Sequence, residues 1–395
     1  MERAERIDGL IRKGNVVLPE STRYGADVRL RNGRIAEIGE ALPCLEGETV
    51  MEAEGAWVFP GFLDLHVHGG DGAGVSDGDP RSLARMCAFH ARHGTTGLLL
   101  TTSTLPDERL TEALEAAQAY ASSEDGSMGA EALGVHLEGP FLSEAYRGAQ
   151  NPEWLQAPCV EKARRWMKAS GDRIRLVTLA PELPGAQEVI TFFREKGAVV
   201  SAGHSGADYD GMEQALRKGV THSTHFYNGM PGFHHRQPGI AASVWLNDEV
   251  SAELILDLQH VHPAAAQVLL RCKGLNRVCL ITDAVHTAGL PDGEYWQASG
   301  RKLTVREGTV RLESGELAGS LLTMDRAVRH AVQVLGLAPH EAARLASLTP
   351  AEIIGEERER GSLSPGKRAD LVLLDANYDV LLTLREGVPV YRKSD

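Results

Sequence analysis

The chain has 395 residues, too many for one ordinary domain of about 150 but within reach of a barrel, which can run to about 250 as one unit. Apolar residues make up 43% and charged residues 24%, a globular composition that excludes a disordered chain, a collagen and a coiled-coil rod. The net charge of −13 sets the surface against nucleic acid and anionic membranes, and against a phosphorylated substrate unless cations are placed locally. Five cysteines without a C-x-x-C pair predict no disulfide framework and a reducing, cytoplasmic setting. The opening MERAERIDGLIRKGNVV holds no run of seven apolar residues, and no stretch approaches 18, so neither a signal peptide nor a membrane span is expected.

In chain order, short β-like runs come first, at 11–18, 27–30 and 34–38, with a hairpin turn at Asn32-Gly33. Similar runs close the chain at 369–374, 380–386 and 388–391. Isolated hairpins are marginal in water, so the two ends are expected to form one small β-sandwich, from residues 1–58 and 350–395. Between them apolar runs recur at 58–67, 96–100, 132–137, 174–179, 198–202, 220–224, 250–256 and 277–281. Helical stretches at 80–92, 106–120, 152–169, 185–196, 208–218 and 263–271 separate most of them. This α/β alternation predicts a (β/α)8 TIM-like barrel over residues 59–349. A doubly wound open sheet is the competitor, weakened in its dinucleotide-binding form by the absence of G-x-G-x-x-G after the first strand.

Polar residues cluster where these runs end. His66 and His68 close the first, His136 and Glu138 the third, His204 the fifth, His222 and His225 the sixth and Asp283 the eighth, and His260 follows the seventh. In a parallel barrel those ends converge on one mouth. His66 and His68, at i and i+2, point to one face of a strand. Two converging imidazoles repel if protonated, whereas a divalent cation binds both in neutral form. The candidate ligands are therefore His66, His68, Glu138, His204, His225 and Asp283, for one or two divalent metal ions: zinc or iron first, manganese or cobalt as alternatives. Glu138 can bridge two ions through its two oxygens. His136 and His222 read as supporting or packing residues.

The motifs PGFLDLHVHGG, HGTTG, HLEGPF, AGHS, THFYNGM, LITDA and AGSLLTM, in this order, resemble the amidohydrolase superfamily. Within it they are similar to the N-acetylglucosamine-6-phosphate deacetylases, across essentially the whole chain. The resemblance implies hydrolysis of the acetamide of N-acetylglucosamine 6-phosphate to glucosamine 6-phosphate and acetate. Water on a bound metal has its pKa lowered to roughly 7, and Asp283 would take its proton and pass it to the departing amine. By the same resemblance Ala149, Gln150, Asn228, Gly229, Arg236, His260 and Met324 contact the substrate, with Arg236 and His260 on the phosphate. It further implies a homodimer in which these two side chains reach the partner's site.

Two features depart from the family pattern. Gln150 stands where some members carry a carbonyl-polarising His, so that role falls more heavily on metal. Gly229 replaces the usual Ala. Among competing functions, deacetylation of N-acetylgalactosamine 6-phosphate differs only in one hydroxyl's orientation. A non-enzymatic assembly protein on the same fold is disfavoured by the intact set of six candidate ligands.

Overall fold

The computed structural model describes residues 5–123, 129–297 and 300–394. Among them, eight parallel strands form a sheet in sequence order: Phe62–Val67, Thr95–Thr102, Glu131–Glu138, Ile174–Leu179, Val199–Ala202, Val220–Ser223, Ser251–Ile255 and Val278–Ile281. A parallel bridge between Val67 and Ala284 brings the eighth strand back to the first, and the Asp283 N–H donates to the His66 carbonyl at 2.8 Å. The sheet is thus the expected TIM-like barrel. Its strands are buried on nearly every residue, which is why they read as continuous apolar runs.

The connecting helices carry ordinary start and stop signals. Asp79 caps Pro80–Arg92, with proline in the first turn. Asp208 caps Tyr209–Lys218, which ends at Gly219 in the left-handed region. The helix after the third strand starts at Val160, later than expected, because Pro152–Trp154 forms a separate 3-10 turn. Helix Gly239–Leu246 was not foreseen: its sequence, GIAASVWL, is apolar all round and shows no amphipathic period.

Both chain ends build the second sheet, a small sandwich. Its strand order runs Val388–Arg392, Val380–Arg385, Leu371–Leu374, Trp57–Pro60, Gly9–Val17, Thr22–Arg31 and Arg34–Gly39, with Thr49–Glu52 also pairing Gly9–Val17. The two ends join where Trp57–Pro60 runs antiparallel to Leu371–Leu374. Val28, Leu30, Ile35, Val58, Leu371 and Leu384 lie in its core.

The run 58–67 was expected to be one strand and is two. It breaks at Gly61, where a Cβ would lie 2.3 Å from the Thr96 side chain. The chain there leaves the terminal sheet for the barrel. A further insertion follows the eighth strand: Gly293–Trp296, Lys302–Arg306 and Thr309–Leu312 form a three-stranded antiparallel sheet with its own small core. No helix among the described residues is long and apolar enough to cross a membrane.

Candidate metal centre at the barrel mouth

The strand ends hold the chemistry. His66, in the first strand, is fully buried, and His68 follows it one step nearer the mouth. Glu138 closes the third strand, and His204 and His225 lie just past the fifth and sixth. His204, His225 and Asp283 all have positive φ (48°, 27° and 49°). That conformation is uncommon for non-glycine residues; here it occurs where each strand has ended and the side chain joins the cluster.

Hydrogen bonding sets the ring tautomers. The Nδ1 of His66 meets Glu253 Oε2 at 2.9 Å, that of His68 meets the Thr101 carbonyl at 3.2 Å, and that of His204 meets the Tyr146 carbonyl at 2.9 Å. His225 Nδ1 meets the Asn228 carbonyl at 3.2 Å. An oxygen acceptor at each Nδ1 calls for a proton there, so each neutral ring presents a lone pair at Nε2. Those four Nε2 atoms converge. His66 and His68 are 3.2 Å apart at Nε2, and His204 and His225 are 3.0 Å apart. Glu138 Oε1 lies 3.4, 3.1 and 3.3 Å from the Nε2 atoms of His66, His204 and His225. Asp283 Oδ1 is 3.2 Å from His68 Nε2.

Converging lone pairs and carboxylates repel unless positive charge sits among them, and this donor set is that of a divalent first-row cation. Two groups of three have ligand atoms within 4.8 Å of one another: His66, His68 and Asp283, and Glu138, His204 and His225. A third such group, His66, His136 and Glu253, is not a ligand set. His136 spends Nδ1 on the Leu65 carbonyl at 3.0 Å and Nε2 on the Thr178 hydroxyl at 2.7 Å. Burial pushes its pKa down to about 3, so it is a neutral packing residue.

The electrostatics agree. Burial works against ionisation of Glu138, but the surrounding rings, His66 first, hold its carboxyl well below the usual range. Burial likewise opposes charge on His66, yet Glu253, Glu138 and Asp283 outweigh it and raise its affinity for a proton well above the ordinary value. Asp283 is lowered against its own burial, mainly by His66 and His68, and stays a carboxylate at neutral pH.

The cluster opens into a cavity of about 470 Å³, lined among others by Trp154 and by Trp296 and Arg301 of the three-stranded insertion. Among the described residues Arg301 is the one Arg or Lys in this wall. It donates to the Ala149 carbonyl, and to Gln297 Oε1 at 3.1 Å.

Residues 57–390 match the Amidohydrolase family. The chain belongs to that family. An N-acetylglucosamine-6-phosphate deacetylase of Vibrio furnissii is 39% identical to this amidohydrolase over 334 residues, 85% of this chain and 83% of that one. An N-acetylgalactosamine-6-phosphate deacetylase of Escherichia coli O157:H7 is 38% identical, covering 89% and 91%. The solved structure of N-acetyl-D-glucosamine-6-phosphate deacetylase from Mycobacterium smegmatis matches with a TM-score of 0.90 and 31% identity, covering 97% of this chain and 100% of that one. Family and donor set together point to a divalent cation in this amidohydrolase.

The expected substrate residues divide. Ala149, Gln150, Asn228, Gly229 and His260 line the cavity. His260 is held by Asp257 at 2.6 Å; burial opposes its charge, but Asp257 outweighs it and raises its pKa. Gly229 has φ of 61°, and a Cβ there would lie 3.0 Å from His204 Nδ1; the exchange of alanine for glycine keeps that ring free. Gln150 is engaged at both ends: its Oε1 accepts from the Thr104 N–H at 2.8 Å and its Nε2 donates to Glu138 Oε2 at 2.5 Å. Arg236 is exposed and outside this wall, its guanidinium on His235 Nε2 at 2.8 Å. Met324 is fully buried at the start of helix Met324–Gln333, in the barrel core and not on the cavity wall.

Three residues escaped sequence reasoning, two of them, Glu253 and Asp64, fully buried. Glu253 bonds His66 and the His225 N–H. Asp64 accepts from the Thr282 hydroxyl at 2.5 Å and the His66 N–H at 3.2 Å, and burial raises its pKa to about 7. Arg301 arrives from the unforeseen insertion. The signal for the first was on the page: a lone glutamate in the apolar run SAELIL.

Proposed function

We propose that this amidohydrolase removes the acetyl group from an N-acetylamino-sugar 6-phosphate, N-acetylglucosamine 6-phosphate first, releasing acetate and the amino-sugar phosphate. The observation that carries this reading is the convergence of six ligand side chains, five of which line, together with a cation, one cavity of about 470 Å³. Zinc or iron is the proposed metal, one ion per group of three ligands. When bound, such a cation supplies positive charge that polarises a carbonyl and acidifies water.

The chain's own residues do the rest. Asp283, ionised and facing the cavity, takes a proton from the attacking water at its carboxylate. It then returns that proton to the departing amine nitrogen. Gln150 holds Glu138 in place rather than supplying charge to the acetyl carbonyl. His260 and the Gly229 N–H receive the phosphate, and Arg301 adds a cation to the same mouth. Asn228 shapes that loop by donating to the carbonyls of His225 and Phe226 at 3.2 and 3.4 Å, and Ala149 borders the sugar. Arg236 serves a second copy in a homodimer, which its position outside its own cavity supports. The five free thiols suit a reducing cytoplasm.

The galactosamine epimer is the second reading, supported by the 38% identical relative of that name. The test is acetate release from both 6-phosphates and from unphosphorylated N-acetylglucosamine. Fast release from one phosphorylated sugar and slow release from the free sugar are expected. No acetate from any of the three would overturn the proposal.

A further inference from the structure

Glu253 lies in the middle of the seventh barrel strand, Ser251–Ile255, and is completely buried. Its neighbours in that strand are small or apolar, so it is the one carboxylate of that strand. All its side-chain bonds go to the histidines of the mouth. Oε2 accepts from His66 Nδ1 at 2.9 Å and from the backbone N–H of His225 at 2.8 Å. Oε1 meets His222 Nε2 at 3.3 Å, and His222 Nδ1 meets the Ser251 hydroxyl at 2.7 Å. No Lys or Arg among the described residues forms an ion pair with it.

A carboxylate on the far nitrogen of a metal-binding imidazole fixes the tautomer, orients the ring and raises its basicity. Glu253 does this for one of the four rings only, since the Nδ1 atoms of His68, His204 and His225 face neutral carbonyls. Its link to the second ligand group is the His225 N–H, a bond that any oxygen acceptor satisfies. We infer that Glu253 is the positioning residue that makes the His66–His68–Asp283 group competent for metal, while the Glu138–His204–His225 group does not need its charge. The inference rests on the metal reading above.

The test is calorimetric titration of chelator-treated protein with Zn²⁺, for wild type, Glu253→Gln and Glu253→Asp. Glutamine keeps the shape and can still accept from both His66 and His225, but removes the charge. Aspartate keeps the charge and disturbs the packing. Wild type is expected to bind two ions. Glu253→Gln should lose about 10- to 100-fold in affinity at one of them, and Glu253→Asp should recover part of that loss. A packing role would rank the variants the other way, with the isosteric glutamine milder. The loss should vanish when His66→Asn is already present, since residues acting through one another are not additive. Two ions bound by Glu253→Gln at wild-type affinity, or equal losses at both sites, would overturn this inference alone. Wild-type protein that binds no divalent cation would overturn the metal reading and this inference with it.

Discussion

The barrel strand Glu131–Glu138 carries a glutamate at each end, and the two are neutralised differently. Glu131, at the foot, meets Arg368 at 2.8 Å and Arg360 at 3.2 Å, and both arginines also reach Asp370. Arg360 also reaches Glu356 and Arg368 also reaches Glu386, both at 3.5 Å, so two cations lie among four carboxylates there and tie the third strand to the C-terminal segment. Glu138, at the mouth, has imidazole nitrogens for ionic partners, as does Asp283. Those rings already spend their Nδ1 protons elsewhere. The foot is complete with what the chain provides, whereas the mouth is built to receive positive charge from outside. The same residue type is structural at one end and chemical at the other because of what faces it.

Substitutions should separate the two ends. Asp283→Asn is expected to lower kcat for acetate release by on the order of 10²- to 10⁴-fold, the usual worth of a proton-transfer group, with the melting temperature near wild type. A variant that keeps most of its kcat would remove Asp283 from the chemistry. Arg360→Met should do the reverse. It leaves Glu131 and Asp370 short of a buried partner and should lower unfolding free energy by about 3–5 kcal/mol, read by urea denaturation. The folded fraction should keep its kcat, and a parallel loss of kcat would blur the division.

A smaller effect is expected at His260. Its pKa is raised above the ordinary histidine value against its own burial by Asp257, so the ring is cationic below that raised value and neutral above it. Phosphate affinity, and the stability the pair contributes, should therefore be full at low pH and fall as pH rises through the raised pKa. KM measured against pH should climb in that window, and His260→Asn should flatten the profile at a cost of about 1.5–3 kcal/mol. A wild-type KM that is level with pH would contradict a charged role. The smallest effect is expected at Met324, a core residue in this fold. Met324→Leu should cost less than about 1.5 kcal/mol and leave KM unchanged. A severalfold rise in KM would place Met324 against the substrate after all.

What the sequence made legible follows from how local each signal is. The His66/His68 pair declares itself because two inward positions on one strand need no knowledge of the rest of the fold. Glu138, His204, His225 and Asp283 were found because each ends an apolar run, and parallel strands bring such ends together. Glu253 was missed because its meaning depends on three strands at once: it sits on the seventh and acts on the first and sixth. The break at Gly61 was invisible because the terminal sheet and the barrel share one apolar run, and only the contact with Thr96 separates them. The mouth insertion was passed over because its short strands carry no motif, and Arg301 went with it. Arg236 shows the opposite case, a residue with a strong motif that lies outside the cavity of its own chain.

The most direct test of the account is to strip the protein of metal with a chelator, restore Zn²⁺ or Fe²⁺ stepwise, and follow acetate release from N-acetylglucosamine 6-phosphate at each step. The account predicts no measurable release from the stripped protein, and recovery that tracks the metal bound, with His66→Asn failing to reach the wild-type plateau. Undiminished acetate release from protein shown to hold no metal would contradict it.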